Sequence, residues 1–380
     1  MARSNKFQRG LDRYFGISLI FLIGLVRRRR SLPAAPDRIG VIQPTAIGDL
    51  ILMSGLLLHI HRCFPNAEIH LFHGPSNGSA VPLLPVDVVA HRCVFTNPLE
   101  TLKSLRSANL DILINSAPWT RLPALLTALS GARGTVGFRS AGQYIHPAFD
   151  VAVPYLSNRH EVENHRAVAN LFGPMPKYAL KLRDIEQVPT IPMHGDRLIL
   201  MHISAGGSAA RQKSWPKQNW IALARKLVER GWIVGFTGAE ADRKAVTGLM
   251  DQAALPQDRC ISLAGRLNMA ELCHVMTRAR LLITIDTGIA HLAAALDVPV
   301  VGLHGPTRFE RWGSYSAHAI GLNSPHPASG YINYGFETHP RGNEIMARLS
   351  VDSVHDAVVK KLDSPEQLSN DPVQVRGVRR

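Results

Sequence analysis

Aromatic residues make up only 6% of this 380-residue chain, and acidic residues are outnumbered by basic ones, 29 against 43. Cysteine is scarce as well. Cys63, Cys93, Cys260 and Cys273 form no C-x-x-C pair and stand in no His-rich cluster with metal-ligand spacing. That pattern argues against a structural zinc site and for buried, reduced thiols acting as small core hydrophobes. Crossing a bilayer takes about 20 apolar residues, whereas the uncharged run Tyr14–Val26 has thirteen. A secretory signal of that length needs a small-residue cleavage site beyond it, but four arginines follow at once. No zinc finger, basic zipper or aromatic-plus-basic strand pattern appears, so nucleic acid is not an expected partner.

What is present suits a globular enzyme. Hydrophobic residues are 46% and charged residues 19% of the chain, and the length fits about two domains. The net charge of +14 and pI near 10 favour anionic partners. Much of that charge lies at the ends: Arg3, Lys6, Arg9 and Arg13, then Arg27–Arg30, then Arg376, Arg379 and Arg380. An apolar run between cationic flanks suits a helix lying in a membrane interface, each arginine gaining about 1 kcal/mol from anionic headgroups. The alternative is a helix packed on the protein's own surface. Residues 1–36, ending in the linker Leu32–Pro36, are expected to form this membrane-interface segment.

Beyond it, strand and helix patterns alternate. Arg38–Gln43, Glu68–Phe72, Asp111–Asn115 and Thr135–Phe138 read as strands, and Asp49–Phe64, Leu122–Ser130 and Glu161–Phe172 as helices. The proline-rich stretch 174–196 reads as an inter-domain connection. The second half repeats the pattern. Leu198–Ile203, Trp232–Thr237, Cys260–Leu263, Leu281–Ile285 and Val298–Leu303 are expected strands. Trp215–Arg230, Ala239–Met250, Met269–Arg278, Thr287–Leu296 and Val351–Lys361 are expected helices. Such alternation predicts βαβ units on parallel sheets, hence an α/β protein of two doubly wound domains, 37–190 and 191–362, with a disordered polar tail at 363–380. Ligands of such sheets bind beyond the carboxyl ends of the strands.

The sharpest segment is Leu281–Gly313, LLITIDTGIAHLAAALDVPVVGLHGPTRFERWG. A strand ends at Ile285, and Asp286-Thr287-Gly288 opens a helix. Its first N–H groups lack internal partners and carry about half a positive charge, a ready site for a diphosphate. Gly288 permits close approach, Thr287 offers a hydroxyl, and His291 follows one turn on. Read alone, the same triplet is an ordinary helix start, with Asp286 accepting from the Gly288 N–H. Equally, Asp49, Lys213, Glu240 and His291 each have a plain structural reading: a helix-start acid, a solvated lysine, a first-turn acid and a satisfied interior histidine.

The whole string resembles the glycosyltransferase family 9 signature, D-[ST]-G-x-x-H-L-A-A-A-L-x-x-P-x-x-x-L-x-G-P-T, from Asp286 to Thr307. Three further segments resemble that family in its order: Gly40–Leu50 (GVIQPTAIGDL), Lys213–Pro216 (KSWP) and Thr237–Glu240 (TGAE). The resemblance covers about residues 37–362 and implies a GT-B fold, two Rossmann-like domains facing a central cleft. It implies an inverting transfer of a sugar, with ADP-heptose the expected donor and a lipopolysaccharide-core or lipid-linked glycan the acceptor. Asp49 would be the catalytic base. Lys213 would meet the donor phosphates, Glu240 the ribose, and Asp286, Thr287, Gly288 and His291 the diphosphate and sugar. No convincing D-x-D motif appears; Glu240-x-Asp242 is the nearest. Metal-independent transfer is therefore expected, with no cofactor beyond the nucleotide-sugar co-substrate. The expected location is cytoplasmic, peripheral on the inner face of the inner membrane and in contact with its anionic surface.

Two stretches depart from the family pattern: His202–Ser208 (HISAGGS), where Gly206 and Gly207 offer an alternative anion cradle, and the loop His326–His339. Three other readings stay open. The chain is a family 9 relative using another nucleotide sugar, a non-catalytic sugar-nucleotide-binding protein, or a GT-B-like epimerase. Asp49 argues against the non-catalytic reading, because nucleotide binding alone does not require it.

Overall fold

The structure, a computed structural model, describes residues 6–184, 197–207, 209–335 and 337–363. These fall into two compact α/β units, one ending at Arg183 and the other beginning at Asp184. The boundary anticipated at 190/191 and the tail after 363 lie outside the described residues.

In the first unit the elements run α1 (Lys6–Val26), β1 (Arg38–Gln43), α2 (Ile47–Leu52), α3 (Ser54–Cys63), β2 (Glu68–His73), β3 (Val89–Arg92) and α4 (Pro98–Ser107). They continue with β4 (Ile112–Asn115), α5 (Arg121–Leu129), β5 (Gly134–Arg139), β6 (Val151–Pro154) and α6 (Glu161–Ala169). All strands pair in parallel, in the order β3-β2-β1-β4-β5-β6. The central strands β1 and β4 are apolar almost throughout and buried, as a sheet covered on both faces requires.

The second unit runs β7 (Leu198–His202), α7 (Ala210–Lys213), α8 (Lys217–Glu229), β8 (Ile233–Thr237), α9 (Arg243–Ala253), β9 (Cys260–Ser262) and α10 (Met269–Thr277). Then come β10 (Leu281–Ile285), α11 (Gly288–Ala295), β11 (Val300–His304), α12 (Phe309–Trp312), β12 (Ala319–Asn323), α13 (Gly342–Ile345) and α14 (Val351–Asp363). Its parallel sheet has the order β12-β11-β10-β7-β8-β9. Renumbered from its own first strand and read from the β9 edge, that is 3-2-1-4-5-6, the Rossmann order and the order of the first unit. Its core joins β7, β8, β10 and β11 to α8, α9 and α14, with Trp220, Leu223, Phe236 and Val358 fully enclosed.

Several local expectations are corrected. The helix expected over 49–64 begins at Ile47 and divides at Met53, whose N–H reaches both Asp49 O and Leu50 O. That i→i−3 bond is the tighter 3₁₀ geometry. Trp215 lies outside α8, and α9 starts only at Arg243, after a 3₁₀ turn over Glu240–Asp242. The strands β3, β6 and β12 escaped the reading: all are partly buried sheet edges, reading VAHR, VAVP and AIGLN. The stretch taken as a connection from 174 belongs, as far as Arg183, to the first unit. Tyr178 is buried there, its hydroxyl donating to Leu52 O at 2.7 Å and accepting from Leu56 N–H at 3.0 Å.

Helix α1 is built into the first unit. Ile20 is fully buried beside Ala124, Ile145 and Phe149. Gly16 lets α1 approach α5 closely, since a Cβ there would stand 2.8 Å from Arg121 Cβ. Asp12 pairs with Arg121 at 3.0 Å, and Arg27 with the buried Asp150 at 2.7 Å. So one face of the segment packs on the protein's own surface. The arginine block is also divided: Arg27 is anchored inward, Arg30 is partly engaged by Asp150, and Arg28 and Arg29 are exposed. No described helix is long and apolar enough to cross a membrane.

Cys93, Cys260 and Cys273 are buried, and burial pushes their thiols up to about 11, 11 and 12. Cys63 departs from the expectation. It is half-buried, 3.5 Å from His59 Nε2.

Candidate functional site

In each unit the polar residues gather where the sheet order reverses. In the second unit that point lies between β7 and β10, at their carboxyl ends. Adjacent strands deliver four polar groups there: His304 ending β11, Asp286 following β10, His202 ending β7 and Thr237 ending β8. All four are buried.

Asp286 is the hub. Its Oδ2 lies 2.6 Å from Lys213 Nζ and accepts from Thr307 Oγ1 at 2.9 Å. Burial alone would raise this carboxyl's pKa. The Lys213 ammonium, with His304 and His291 nearby, overrides burial and holds it down at about 2. Thr307 has one proton, which it gives to the carboxylate, so its oxygen accepts from His304 Nδ1 at 3.3 Å. Burial lowers His304 to about 4 against the pull of Asp286, so it is neutral at physiological pH with its proton on Nδ1. His202, 2.9 Å from Thr237 Oγ1, is likewise pushed by burial to about 4.

The local sequence explains this placement. Lys213 ends the single turn α7, which the K-S-W-P run then fastens. Trp215 is buried and donates Nε1–H to Leu349 O at 3.0 Å, and Pro216 caps α8. Lys213 is thus held facing Asp286 instead of being solvated. Thr287, not Asp286, is the N-cap of α11, and its hydroxyl makes no capping bond. Gly288 is the first helical residue, and His291 is buried one turn along. Glu240 stands apart. It opens the 3₁₀ turn after β8, is largely exposed, and pairs with Arg243 at 2.6 Å. Behind it Gly265, at φ +67°, leaves no room for a Cβ, which would lie 2.2 Å from Glu240 Oε2.

The loop His326–His339, unassigned by sequence, braces this site. Gly330 N–H donates to Gly305 O at 2.8 Å and Ile332 N–H to Pro306 O at 2.7 Å. Tyr331 Oη donates to Gln212 Oε1 at 2.7 Å, next to Lys213. The Gly206–Gly207 turn is exposed, with Gly207 at φ +82°.

In the first unit the order reverses between β1 and β4. Asp49 lies just beyond β1 in α2, its carboxylate accepting from Ala46 N–H at 3.2 Å. It lines a small cavity with Gln43, Thr45, Ser116, Trp119, Glu161 and His165. Ser116 ties the strand ends together, Oγ donating to Ile42 O at 2.7 Å. Glu161 is buried and accepts from Tyr155 Oη at 2.7 Å.

Of the residues anticipated, Lys213 and Asp286 form one cluster with Thr287, Gly288 and His291 adjoining, Glu240 lies on the neighbouring strand's turn, and Asp49 belongs to the other unit. Thr307, His304, His202 and Thr237 were missed. The first two stand within the quoted signature, and the other two end strands that were correctly identified. Glu161 and His165 had no signal, because more than one hundred residues separate them from Asp49.

Comparison with known proteins agrees with this geometry. Residues 99–332 match the family Glycosyltransferase family 9 (heptosyltransferase). Lipopolysaccharide heptosyltransferase 1 of Pseudomonas aeruginosa is 28% identical over 77% of this chain and 85% of its own length. Among solved structures, Escherichia coli ADP-heptose LPS heptosyltransferase II superposes with a TM-score of 0.66 at 20% identity, covering 86% of this chain and 98% of its own. The E. coli heptosyltransferase WaaC with ADP superposes at 0.64 and 15% identity, covering 85% and 99%. The chain belongs to glycosyltransferase family 9 and is a glycosyltransferase of doubly wound α/β architecture.

Proposed function

We propose that the protein transfers heptose from ADP-heptose to a lipopolysaccharide-core or lipid-linked glycan acceptor, with inversion. The observation that carries this reading is the buried Lys213–Asp286–Thr307 cluster at the switch point of the second sheet, beside the uncapped start of α11. The second unit is the proposed donor side and the first the acceptor side. Relatives named for the same reaction support the choice of sugar.

The chemistry follows from these groups. The diphosphate gains charge as the bond to the anomeric carbon breaks. The Lys213 ammonium has three N–H donors, and Asp286 engages it from one side, leaving donors for phosphate oxygens. The first N–H groups of α11 at Thr287 and Gly288 add a second positive pole. Asp286 keeps Lys213 in place, His291 flanks the sugar-phosphate, and Glu240 takes a ribose hydroxyl. Asp49 accepts the proton of the attacking acceptor hydroxyl. With these cations the transfer needs no metal ion; turnover that is lost in chelator and restored by magnesium refutes that point. The protein works at the cytoplasmic face of an anionic membrane, where a lipid-linked acceptor resides.

The test is release of nucleoside diphosphate from a panel of nucleotide sugars with a lipid A-core acceptor, for wild type and Asp49→Ala. ADP-heptose should turn over, and Asp49→Ala should reduce turnover by about 10²- to 10⁴-fold while still binding donor. Turnover of a different sugar nucleotide overturns the donor assignment, and binding without turnover in both proteins overturns the enzyme reading.

A further inference from the structure

Helix α1 has two unlike faces. The inward face is fixed by Ile20, by Asp12 on Arg121 and by Arg27 on Asp150. The outward face carries Phe15, Leu19, Leu22 and Val26 at spacings of four, three and four, with Phe21 and Leu25 alongside, and all six are exposed. Phe15 is 72% and Val26 84% open to solvent. Residues at such spacings share one side of a helix, so they form a strip about 18 Å long. Large apolar side chains so concentrated mark an interaction surface, not ordinary scatter.

At the end of the strip the charge is positive. Arg28 and Arg29 are exposed and form no ion pair among the described residues. Exposed Arg29 and Arg139 each act with burial to hold His146 below its ordinary value. The helix has 21 residues but is not apolar enough to span a bilayer. Side-by-side parallel pairing of these strips with a second copy would bring Arg28 and Arg29 against their counterparts.

We infer that the outward face of α1 docks flat on an anionic lipid surface, Phe15, Leu19, Leu22 and Val26 entering the acyl boundary while Arg28 and Arg29 meet the headgroups. This deepens the membrane-side reading above and rests on its lipid-linked acceptor. Because the opposite face is fastened to the first unit, α1 acts as a fixed plate and not as a tethered anchor. Deleting the segment would uncover Ala124, Ile145 and Phe149, so point substitutions on the outward face are the clean probe.

The experiment is co-sedimentation of the full chain with phosphatidylcholine vesicles, with and without phosphatidylglycerol, for wild type, L19S/L22S and R28A/R29A. Wild type should bind the anionic vesicles. L19S/L22S should lose roughly tenfold or more of that affinity. R28A/R29A should lose roughly tenfold on anionic vesicles only. Unfolding midpoints and turnover of a water-soluble, acyl-free acceptor should be kept in both variants. Wild type that binds neither vesicle, or variants that bind as wild type does, overturns the docking inference. So does a dimer that L19S/L22S dissolves in the absence of any vesicle binding, which would assign the strip to a second copy. Wild type that binds no vesicle yet turns over the soluble acceptor counts only against docking, whereas absent turnover in wild type counts against heptosyl transfer.

Discussion

Asp286 meets two opposed demands. It is buried, which favours the neutral acid, and it faces Lys213, which favours the anion; the ion pair prevails. Lys213→Met would leave a buried carboxylate without its counter-charge. Breaking such a pair costs about 3 kcal/mol of stability, and losing a cation at the leaving group should lower kcat by about 10²- to 10³-fold. Thermal unfolding and diphosphate release read the two separately. The acid sensitivity of the site follows from the same groups. The folded carboxyl titrates near 2, below its unfolded value of 3.8, so its stabilisation is present above about pH 4 and lost toward pH 2. His202 and His304 are lowered from 6.5 to about 4. The unfolded chain therefore takes up their protons first, and stability falls from about pH 6.5 down to 4, by about 3 kcal/mol per histidine. Urea midpoints across that range should fall less in His304→Gln than in wild type.

At the scale of elements, the tightest constraints lie where one segment is pinned to another. Asp150 has no exposed side-chain surface and receives bonds from Arg27 and Thr135 and from the Arg30 backbone N–H. Asp150→Ala should lower the stability of the first unit by about 3 kcal/mol, read as a shifted denaturant midpoint, and should loosen the end of α1. Gly265→Ala places a side chain in the left-handed region against Glu240. It should cost about 1–2 kcal/mol and, by displacing Glu240, raise KM for the donor more than it lowers kcat. Equal effects on both constants would show that Glu240 does not contact bound donor. Element types were largely legible in the chain, because buried parallel strands read as continuous apolar runs such as LILMH and LLITI. The edge strands β3 and β12 were not, since their partly buried segments VAHR and AIGLN lack the unbroken large apolar side chains of the central strands.

For the whole molecule, two units with separate cores should not unfold as one cooperative block. Trp119 is the sole tryptophan of the first unit, and Trp215, Trp220, Trp232 and Trp312 belong to the second. ADP at about one hundred times its Kd should raise the stability reported by a Trp119→Phe variant by about 2.7 kcal/mol. Probes confined to the first unit should move less. Equal shifts in both would place the nucleotide elsewhere than on the second unit alone.

The repeating strand–helix pattern and the run from Asp286 to Thr307 determined, without coordinates, the α/β class, the two-unit plan and the family. Those properties depend on local apolar periodicity and short contiguous spacing, which a linear chain displays. Tertiary structure alone decided that Lys213 is held by Asp286, that Thr307 and His304 complete the chain of bonds, and that Glu161 and His165 border Asp49's cavity. It also decided which arginines of the block at 27–30 turn inward. The partners in these contacts lie up to about one hundred and twenty residues apart. Only the folding of each unit brings them within bonding distance, and no local pattern encodes that distance.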